Sequence, residues 1–251
     1  MKKIVEITDL SVKYQTPTDE ITAVKRVSFD IYENEFVSIV GPSGCGKSTI
    51  LSCIAGLIPC SSGKVLVNGN NPKTDGTIGY MLQKDTLFDW RSAVKNMSLG
   101  PEITKNSFSE KDIDLLIDKY SLTDFKYKYP DEISGGMRQR VALIRTLALR
   151  PKLLLLDEAF SGLDAQTRRK VGEDILSIIK KEKKTALMVT HDIAESILLS
   201  DRVIVLTNRP SEVSAIFKID FNGLNGSFSK RNSPEFLKYY NLIGKELNEY
   251  E

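Results

Sequence analysis

The chain has 251 residues, 41% of them hydrophobic and 27% charged, which is ordinary globular composition and enough to bury a sizeable core. Its 35 lysines and arginines nearly balance its 33 aspartates and glutamates, and the net charge of +2 argues against a dedicated nucleic-acid-binding protein. No apolar run approaches the ~20 residues of a membrane span, and the N-terminus has no signal-peptide core, so we expect a cytosolic protein.

The N-terminal segment and four short apolar runs predict a fold built on β-sheets. Residues 4–31 contain alternating apolar and polar side chains, which is typical of an antiparallel β layer. Four later runs have the length and composition of strands buried on both faces: Phe36–Val40, Leu153–Leu156, Ala186–Thr190 and Val203–Leu206. Because helix-like sequence follows these runs, we expect a parallel sheet with right-handed crossovers.

Helical patterns occupy residues 84–150 and the end of the chain. One helix is predicted over Ser109–Tyr120, with Ser109 as its cap, and a second is predicted between Ser134 and Pro151. We interpret this stretch as a helical subdomain inserted between strands of the main sheet. A further short helix is predicted to begin at Ser233-Pro234, with Phe236, Tyr240, Ile243 and Leu247 at helical spacing.

The most specific motif follows the first buried run. It matches G-x-x-x-x-G-K-[ST] between a predicted strand and a predicted helix, which is the context of a phosphate-binding loop. Its residues are Gly41, Pro42, Ser43, Gly44, Cys45, Gly46, Lys47, Ser48 and Thr49. Glycines let backbone N–H groups point at a polyphosphate, and the helix N-terminus adds a partial positive charge. Lys47 would reach the β- and γ-phosphates, and the Ser48 hydroxyl would coordinate Mg²⁺.

Two acidic residues follow the second buried run. Asp157 can hold Mg²⁺ directly or through water, and Glu158 is placed to polarise the attacking water as a general base. Ligands of parallel sheets bind at the carboxyl ends of the strands, so the glycine loop, this acidic pair and His191 are expected to form one site. These motifs predict a nucleoside triphosphatase. The absence of the GTPase motif N-K-x-D favours adenine over guanine.

With one further segment, the sequence resembles the ATP-binding subunits of ABC transporters. This segment is Ile133-Ser134-Gly135-Gly136-Met137-Arg138-Gln139-Arg140. The resemblance extends from about Ile4 to Leu206. It implies a P-loop NTPase fold of the ABC type, with an α/β parallel-sheet core, an N-terminal antiparallel β layer and an inserted helical subdomain. It also implies a single nucleotide-binding domain over 1–251. Its predicted parts are an ATP-binding core (1–83 and 151–210), a helical subdomain (84–150) and a short C-terminal extension (211–251).

The resemblance assigns a second phosphate contact to this segment. In the family, the residues that match Ser134, Gly135 and Gly136 begin a helix and close over ATP held by the opposite subunit. A serine hydroxyl, glycine amides and a helix N-terminus do form an anion cradle, and an ordinary helix cap is the alternative. Ile133 and Met137 stand where the family more commonly has Leu and Gln. The effect of these two differences on the strength of the phosphate contact is left open.

Four further residues match family positions. Gln83 resembles the glutamine that senses Mg²⁺ and the attacking water, and His191 resembles the histidine that contacts the γ-phosphate. Asp164, in the segment Ser161-Gly162-Leu163-Asp164, resembles the loop that couples the two active sites of a dimer. Tyr14 resembles the aromatic residue that stacks on adenine, and a partly buried strand tyrosine is the alternative.

An aromatic segment, Leu87-Phe88-Asp89-Trp90, lies where the ATP-binding subunits of this family contact the membrane subunit. The alternative is that Trp90 packs in the core of the helical subdomain. With Gly135–Arg140 and Asn208-Arg209-Pro210, it makes the chain most similar to the nitrate/sulfonate/taurine-type importer ATPases. That resemblance implies a motor that uses ATP and Mg²⁺ and forms a homodimer when ATP is bound. It also implies two transmembrane permease subunits, an extracytoplasmic solute-binding protein and a location at the cytoplasmic face of the membrane. The alternative function is a soluble ABC-type ATPase that acts on nucleic acid or ribosomes.

Overall fold

The computed structural model of the protein describes residues 1–104, 110–161, 163–224 and 226–248. The chain forms two compact units, the first comprising Met1–Pro72 and Leu176–Glu251 and the second Lys73–Ile175. The second unit contains the predicted helical subdomain, residues 84–150, together with strand residues that we predicted to lie in the ATP-binding core. The predicted subdomain boundaries therefore stay a prediction.

The described ranges contain both strands and helices. The strands are β1 (Lys3–Gln15), β2 (Glu20–Tyr32), β3 (Phe36–Val40), β4 (Ser62–Val67), β5 (Ile78–Met81), β6 (Leu153–Asp157), β7 (Thr185–Val189), β8 (Arg202–Leu206) and β9 (Val213–Lys218). The helices are α1 (Lys47–Ile54), α2 (Ala93–Met97), α3 (Leu99–Thr104), α4 (Glu110–Lys119), α5 (Gly135–Leu147), α6 (Ala165–Lys181), α7 (Ile193–Leu199), α8 (Ser227–Arg231) and α9 (Pro234–Asn248). Over these ranges, every helix falls short of the length and apolar character that crossing a bilayer requires.

In the first unit, β1 lies between β2 and β4 in an antiparallel sheet. Ile7 pairs with Phe29 on one side and with Val65 on the other, and all three side chains are buried. The alternation of apolar residues in the sequence therefore faces a core, as expected for a strand with one buried face. The predicted antiparallel β layer is confirmed.

The first unit also contains parallel strands. β3 pairs with β7 on one side and with β8 on the other, with Ser38 opposite both Met188 and Val203. All residues of β3 and β7 are buried, which explains why these strands are continuous apolar runs in the sequence. β9 extends this group antiparallel to β8, a strand that the sequence analysis missed because its half-buried residues form no apolar run.

The C-terminal helix α9 packs against the same unit. Ser233 caps it, since its hydroxyl accepts a hydrogen bond from the Phe236 N–H at 3.2 Å. Phe236 and Ile243 are buried in a cluster with residues of α7 and β8, as their helical spacing predicts. Tyr240 is an exception, because it is 42% exposed and Tyr239 packs against the cluster instead.

The second unit contains the parallel pair β5 and β6, with Tyr80 opposite Leu155, and helices α2 to α5. Helix α4 agrees with the helix predicted over 109–120, although its predicted cap, Ser109, lies outside the described residues. Helix α5 begins after Ser134 and ends before Pro151, as predicted. A proline ring prevents the helix from continuing, and Ser134 satisfies the N–H of Met137 at the other end.

Candidate functional site

The glycine loop connects β3 to α1 and needs glycine at defined positions. Gly44 and Gly46 have φ angles of 72° and 112°, which L-residues with a side chain rarely adopt. A Cβ atom at Gly46 would lie 3.1 Å from the Ala23 carbonyl oxygen and 3.1 Å from Val24 Cγ2. A Cβ atom at Gly44 would meet nothing within 4 Å. The loop is therefore packed against β2 at Gly46 and open at Gly44, where a ligand can approach the backbone.

Lys47 places a cation within this loop. Its side chain is only 6% exposed, and Nζ donates hydrogen bonds of 2.8 Å to the carbonyl oxygens of both Gly41 and Pro42. Lys47 is also the first residue of α1, so the ammonium group adds to the partial positive charge of a helix N-terminus. This arrangement of a cation and a helix N-terminus suits a polyphosphate.

Cys45 lies in the same loop and is 1% exposed. Burial raises the pKa of the Cys45 thiol, and the nearby Lys47 ammonium group opposes this shift only in part. The thiol is therefore neutral at neutral pH. It contributes packing beside Gly41, whose Cβ would lie 3.0 Å from Cys45 Sγ.

Tyr14 lies close to the end of the phosphate motif. Its hydroxyl is 3.3 Å from Thr49 Oγ1, which joins β1 to the first turn of α1. Tyr14 is 43% exposed, so part of its ring is accessible to a planar ligand. The predicted stacking on adenine stays a prediction.

His191 follows β7 in the first unit and is exposed. Its neighbours determine the backbone around it, because the Asp192 N–H donates to Thr190 Oγ1 at 3.1 Å. Asp192 caps α7 by accepting a hydrogen bond of 3.0 Å from the Glu195 N–H, and Thr190 Oγ1 donates to the Glu195 carboxylate. The predicted contact of His191 with the γ-phosphate stays a prediction.

The acidic pair in the second unit has defined polar partners. Asp157 ends β6, is 8% exposed and accepts a hydrogen bond of 3.1 Å from the Tyr80 hydroxyl. Gln83 Nε2 donates to Glu158 Oε2 at 3.0 Å and to Ser161 Oγ at 3.4 Å. The predicted catalytic residues Gln83 and Glu158 are therefore in direct contact.

Glu158 also has an unusual backbone. Its φ angle is 44°, in the left-handed region that non-glycine residues seldom occupy. Such conformations cost roughly 1–3 kcal/mol and concentrate at active sites, because the surrounding structure must enforce them. Glu158 directly follows the end of β6, and its carboxylate accepts the hydrogen bond from Gln83.

The Ser-Gly-Gly segment begins α5. Ser134 Oγ accepts the Met137 N–H at 3.4 Å, so the serine acts as a helix cap and leaves hydroxyl capacity for a second bond. A Cβ atom on Gly136 would lie 2.9 Å from Thr167 Cγ2 and 3.4 Å from Val171 Cγ2. A Cβ atom on Gly135 would lie 3.3 Å from Leu163 Cδ2. Both glycines therefore permit close packing of α5.

Replacing Gly136 by alanine is expected to destabilise the protein by about 1–3 kcal/mol, because the added methyl group would lie 2.9 Å from Thr167 Cγ2, closer than packed carbon atoms approach. Urea denaturation followed by circular dichroism measures this change. Gly244→Ala is the matched control, since its Cβ would be 4.0 Å from Ile193 Cδ1 and alanine favours a helix interior. Equal stability of Gly136→Ala and wild type would contradict the close packing.

Asp164 has a structural role in this unit. Its Oδ1 accepts hydrogen bonds from the N–H groups of Gln166 at 3.1 Å and Thr167 at 3.0 Å, so it caps α6. Hydrogen bonds from the Thr167 side chain and backbone lower the pKa of the exposed Asp164 carboxyl. Gly162, in the same predicted coupling segment, lies outside the described residues. The structure shows Asp164 as a helix cap, and its predicted role in coupling the two active sites of a dimer stays a prediction.

Two arginines that the sequence analysis left without a role hold the loop after Gln83 against α5. Arg138 Nε donates to Asp85 Oδ2 at 2.9 Å. Arg145 donates to the carbonyl oxygens of Asp85 at 2.7 Å and Thr86 at 2.8 Å. Burial lowers the pKa of the Arg145 guanidinium group, and the Asp85 carboxylate opposes this shift. Within this unit, the segment that positions Gln83 is thus bound to the helix that begins at Ser134.

The aromatic segment is held so that its tryptophan points outward. Leu87 is buried, whereas Trp90 is 74% exposed and stacks on Phe88 with 4.8 Å between ring centroids. The fully buried Asn96 fixes the backbone, because its side chain accepts the Phe88 N–H at 2.8 Å and donates to the Arg91 carbonyl at 2.8 Å. The alternative of core packing for Trp90 is wrong. Its exposure leaves the ring available to a partner.

The sequence comparisons agree with these motifs. Residues 24–161 match the family described as ABC transporter. The uncharacterized ABC transporter ATP-binding protein YtlC of Bacillus subtilis is 44% identical over 242 residues, covering 95% of this chain and 93% of that protein. The taurine import ATP-binding protein TauB of Roseobacter denitrificans is 38% identical, covering 92% and 88%. The nitrate import ATP-binding protein NrtD of a Synechocystis species is 36% identical, covering 98% and 97%.

Solved structures show the same fold. A dimeric, post-hydrolysis structure of the ATP-binding cassette MJ0796 with ADP and Pi bound superposes with a TM-score of 0.75. It is 29% identical, and the match covers 86% of this chain and 99% of that chain. The predicted α/β fold, with mostly parallel strands and an antiparallel β layer, is confirmed.

Proposed function

The chain belongs to the ABC transporter ATP-binding family, and from that premise we propose that it is the motor subunit of an importer for a small solute of the nitrate, sulfonate or taurine class. It is an ATP hydrolase of the ABC type. The importer assignment rests on one observation. TauB and NrtD, which are named as import ATP-binding proteins, are 38% and 36% identical to this chain over nearly its whole length.

Binding of ATP is assigned to the first unit. Backbone N–H groups of the loop from Gly41 to Gly46 surround the phosphates, and Lys47 neutralises charge on the β- and γ-phosphates. When ATP binds, the Lys47 ammonium group exchanges its bonds to loop carbonyls for bonds to phosphate oxygens, which are charged and therefore stronger acceptors. Tyr14 supplies an aromatic face for adenine.

Hydrolysis is assigned to Glu158 as the general base. Its carboxylate accepts a proton from the attacking water while the water oxygen forms a bond to the γ-phosphorus and the bond to ADP breaks. Gln83 orients the carboxylate through the hydrogen bond that it donates to Oε2. His191 is assigned to the γ-phosphate, where an imidazole N–H donates to an oxygen of the γ-phosphoryl group that the water attacks.

Magnesium fits the proposed donors. Among the described residues, no group of three or more His, Cys, Asp or Glu side chains could hold a metal ion by itself. Mg²⁺ commonly takes one or two protein carboxylates and completes its shell with water and substrate phosphates, and it prefers oxygen ligands. Ser48, Gln83 and Asp157 offer such oxygens. When bound, the ion would neutralise charge between the β- and γ-phosphates.

The proposed active form is a homodimer. Ser134, Gly135 and Gly136 of one copy contact ATP that is held by the phosphate loop of the other, and Asp164 lies in the segment proposed to couple the two sites. The phosphate loop of one copy and the segment Ser134–Gly136 of the other both bind negatively charged phosphates of the same ATP. This electrostatic attraction favours dimerisation when ATP is bound. ATP binding closes the dimer, and hydrolysis at Glu158 reopens it.

The proposed partners are two membrane permease subunits, which place the chain at the cytoplasmic face of the membrane, and an extracytoplasmic solute-binding protein. Phe88 and Trp90 form the proposed contact with the permease. An exposed tryptophan that stacks on the half-buried Phe88, on a backbone held by Asn96, is a rigid anchor for a partner helix.

Replacing Trp90 by alanine is expected to weaken binding of the membrane subunit about 30-fold, because truncating an interface aromatic commonly costs ~2 kcal/mol or more. The measurement is the affinity between the purified chain and the permease in nanodiscs. Leu115→Ala is the matched control, since Leu115 is 67% exposed in the same unit but lies in α4. A Trp90→Ala chain that binds like wild type would remove Trp90 from the interface.

The proposed function is tested by purifying the tagged chain from gently solubilised membranes and identifying what accompanies it. A polytopic membrane protein in near-equal amount supports a transporter subunit. Loss of uptake of labelled nitrate, taurine and an alkanesulfonate on deletion of the gene, with rescue by wild type, supports an importer of this class. Ribosomal proteins or nucleic acid as the main companions would overturn the transport proposal and favour the soluble alternative.

A further inference from the structure

The loop that follows β8 contains the segment Asn208-Arg209-Pro210, to which the proposed function assigns no role. Hydrogen bonds close this loop at its base, because the Thr207 N–H donates to the Glu212 carbonyl at 3.1 Å and the Glu212 N–H donates to Thr207 Oγ1 at 2.9 Å. The three residues of the segment form the exposed tip, whereas Ser211 is fully buried. The loop is therefore a closed turn with a buried hydroxyl near its base.

Ser211 attaches this loop to β2. Its N–H donates to the Ala23 carbonyl at 3.1 Å, its carbonyl accepts the Lys25 N–H at 2.8 Å, and its hydroxyl donates to the Ala23 carbonyl at 3.3 Å. An ion pair of 2.8 Å between the exposed side chains of Lys25 and Glu212 lies beside these bonds. β8 is the neighbour of β3, from which the phosphate loop starts. Ser211 therefore connects the antiparallel sheet to the strands that carry the phosphate loop.

Both ends of the phosphate loop pack against this connection. A Cβ atom on Gly41 would lie 3.1 Å from Leu206 Cβ, at the end of β8. A Cβ atom on Gly46 would lie 3.1 Å from the Ala23 carbonyl oxygen and 3.4 Å from Ser211 Oγ. The carbonyl group that accepts the Ser211 hydroxyl is thus the group against which Gly46 packs. Ser211 therefore holds in place the surface on which the second half of the phosphate loop rests.

We propose that Ser211 is a positioning residue for ATP binding: it holds β2 and the loop after β8 together behind Gly46, and so keeps the N–H groups of the phosphate loop in the arrangement that binds phosphates. The inference rests on the proposed binding of ATP at this loop and adds a residue to it. Ser211 acts through Ala23 and Gly46 and does not contact the nucleotide. A buried bond between two segments restricts their conformations, and a protein that adopts its binding conformation less often binds its ligand proportionally more weakly.

Ser211→Ala tests the inference, because it removes the hydroxyl and leaves both backbone hydrogen bonds in place. The KM for ATP is expected to rise about fivefold, which is the typical effect of losing one hydrogen bond. The kcat at saturating Mg-ATP is expected to stay within about twofold of wild type, since the support acts equally on the ground state and the transition state. Calorimetry is expected to show the same fivefold loss of affinity for ADP, in the absence of turnover.

Hydrogen exchange of the nucleotide-free protein, followed by mass spectrometry, reports the phosphate loop itself. The peptide that covers residues 41–49 is expected to exchange about fivefold faster in Ser211→Ala than in wild type, because the loop opens locally more often. Saturating ADP is expected to return the exchange rate to within about twofold of wild type, since the bound phosphates hold the loop.

Ser233→Ala is the matched control. Ser233 is a buried serine of the same unit, and its hydroxyl likewise donates to a backbone carbonyl, that of Lys230 at 2.7 Å. Because Ser233 caps α9, its replacement is expected to lower the melting temperature. It is expected to change neither the KM for ATP nor the exchange of the phosphate-loop peptide.

The failures of the inference and of the proposed function are distinguishable. If wild type binds ADP and Ser211→Ala binds it with equal affinity, the positioning role is wrong and the proposed function stands. If Ser233→Ala raises the KM as much as Ser211→Ala, a general loss of stability explains the effect and the inference is overturned. If wild type binds no ADP, the assignment of the phosphates to this loop and the inference both fail.

Discussion

Glu158→Gln is expected to lower the rate of ATP hydrolysis at least about a hundredfold while ATP stays bound, because an amide oxygen cannot accept the proton of the attacking water. The substitution preserves size and leaves an oxygen for the hydrogen bond that Gln83 donates, so the local backbone, strained at φ 44°, need not change. Phosphate release under saturating Mg-ATP measures the rate, and a filter-binding assay with labelled ATP measures retention.

The same variant tests the dimer. A chain that binds ATP without hydrolysing it accumulates in the closed state, so light scattering at saturating Mg-ATP is expected to report a mass twice that of the chain. Glu173→Gln is the matched control, since Glu173 is exposed in α6 and has no assigned role. Near-normal hydrolysis by Glu158→Gln would remove this residue from the role of base, and a monomer at saturating Mg-ATP would contradict the proposed dimer.

Lys47→Ala is expected to lower ATP turnover at least about a hundredfold, because it removes a preorganised cation from the developing charge on the phosphates. The fold is expected to persist. The loss of two hydrogen bonds to loop carbonyls is offset in part by no longer burying an ammonium group that is 6% exposed. Turnover, ATP affinity by calorimetry and thermal unfolding are measured on the same preparation.

Lys64→Ala serves as the matched control for this substitution, because Lys64 is an exposed lysine of the same unit, in β4. It is expected to bind and hydrolyse ATP like wild type. If Lys47→Ala retained wild-type turnover, the glycine loop would not be the phosphate site. If it lost turnover only through unfolding, a lowered melting temperature would reveal this.

Local sequence was sufficient to predict the phosphate loop. The requirement for glycine at Gly44 and Gly46 arises from backbone angles within the loop, and the strand before it and the helix after it are contiguous in the chain. The same holds for the cap of α5 at Ser134, since the hydrogen bond to Met137 spans three residues. Interactions over such short separations are determined by residue type and spacing.

Other features required the fold. The Tyr80–Asp157 and Gln83–Glu158 contacts join residues 77 and 75 positions apart, and both depend on the register of β5 against β6. Strand β9 is half-buried and is defined by its pairing with β8 rather than by an apolar run.

The sequence by itself therefore determined the family, the ATPase chemistry and the fold class, because these depend on contiguous motifs and on the burial pattern of single strands. Tertiary structure decided which side chains support those motifs. Arg145 binds the loop after Gln83, Tyr80 binds Asp157, and Trp90 is exposed rather than buried. The physical reason is that a side chain's partner and its exposure depend on which distant segments pack beside it, and residue spacing along the chain does not specify that packing.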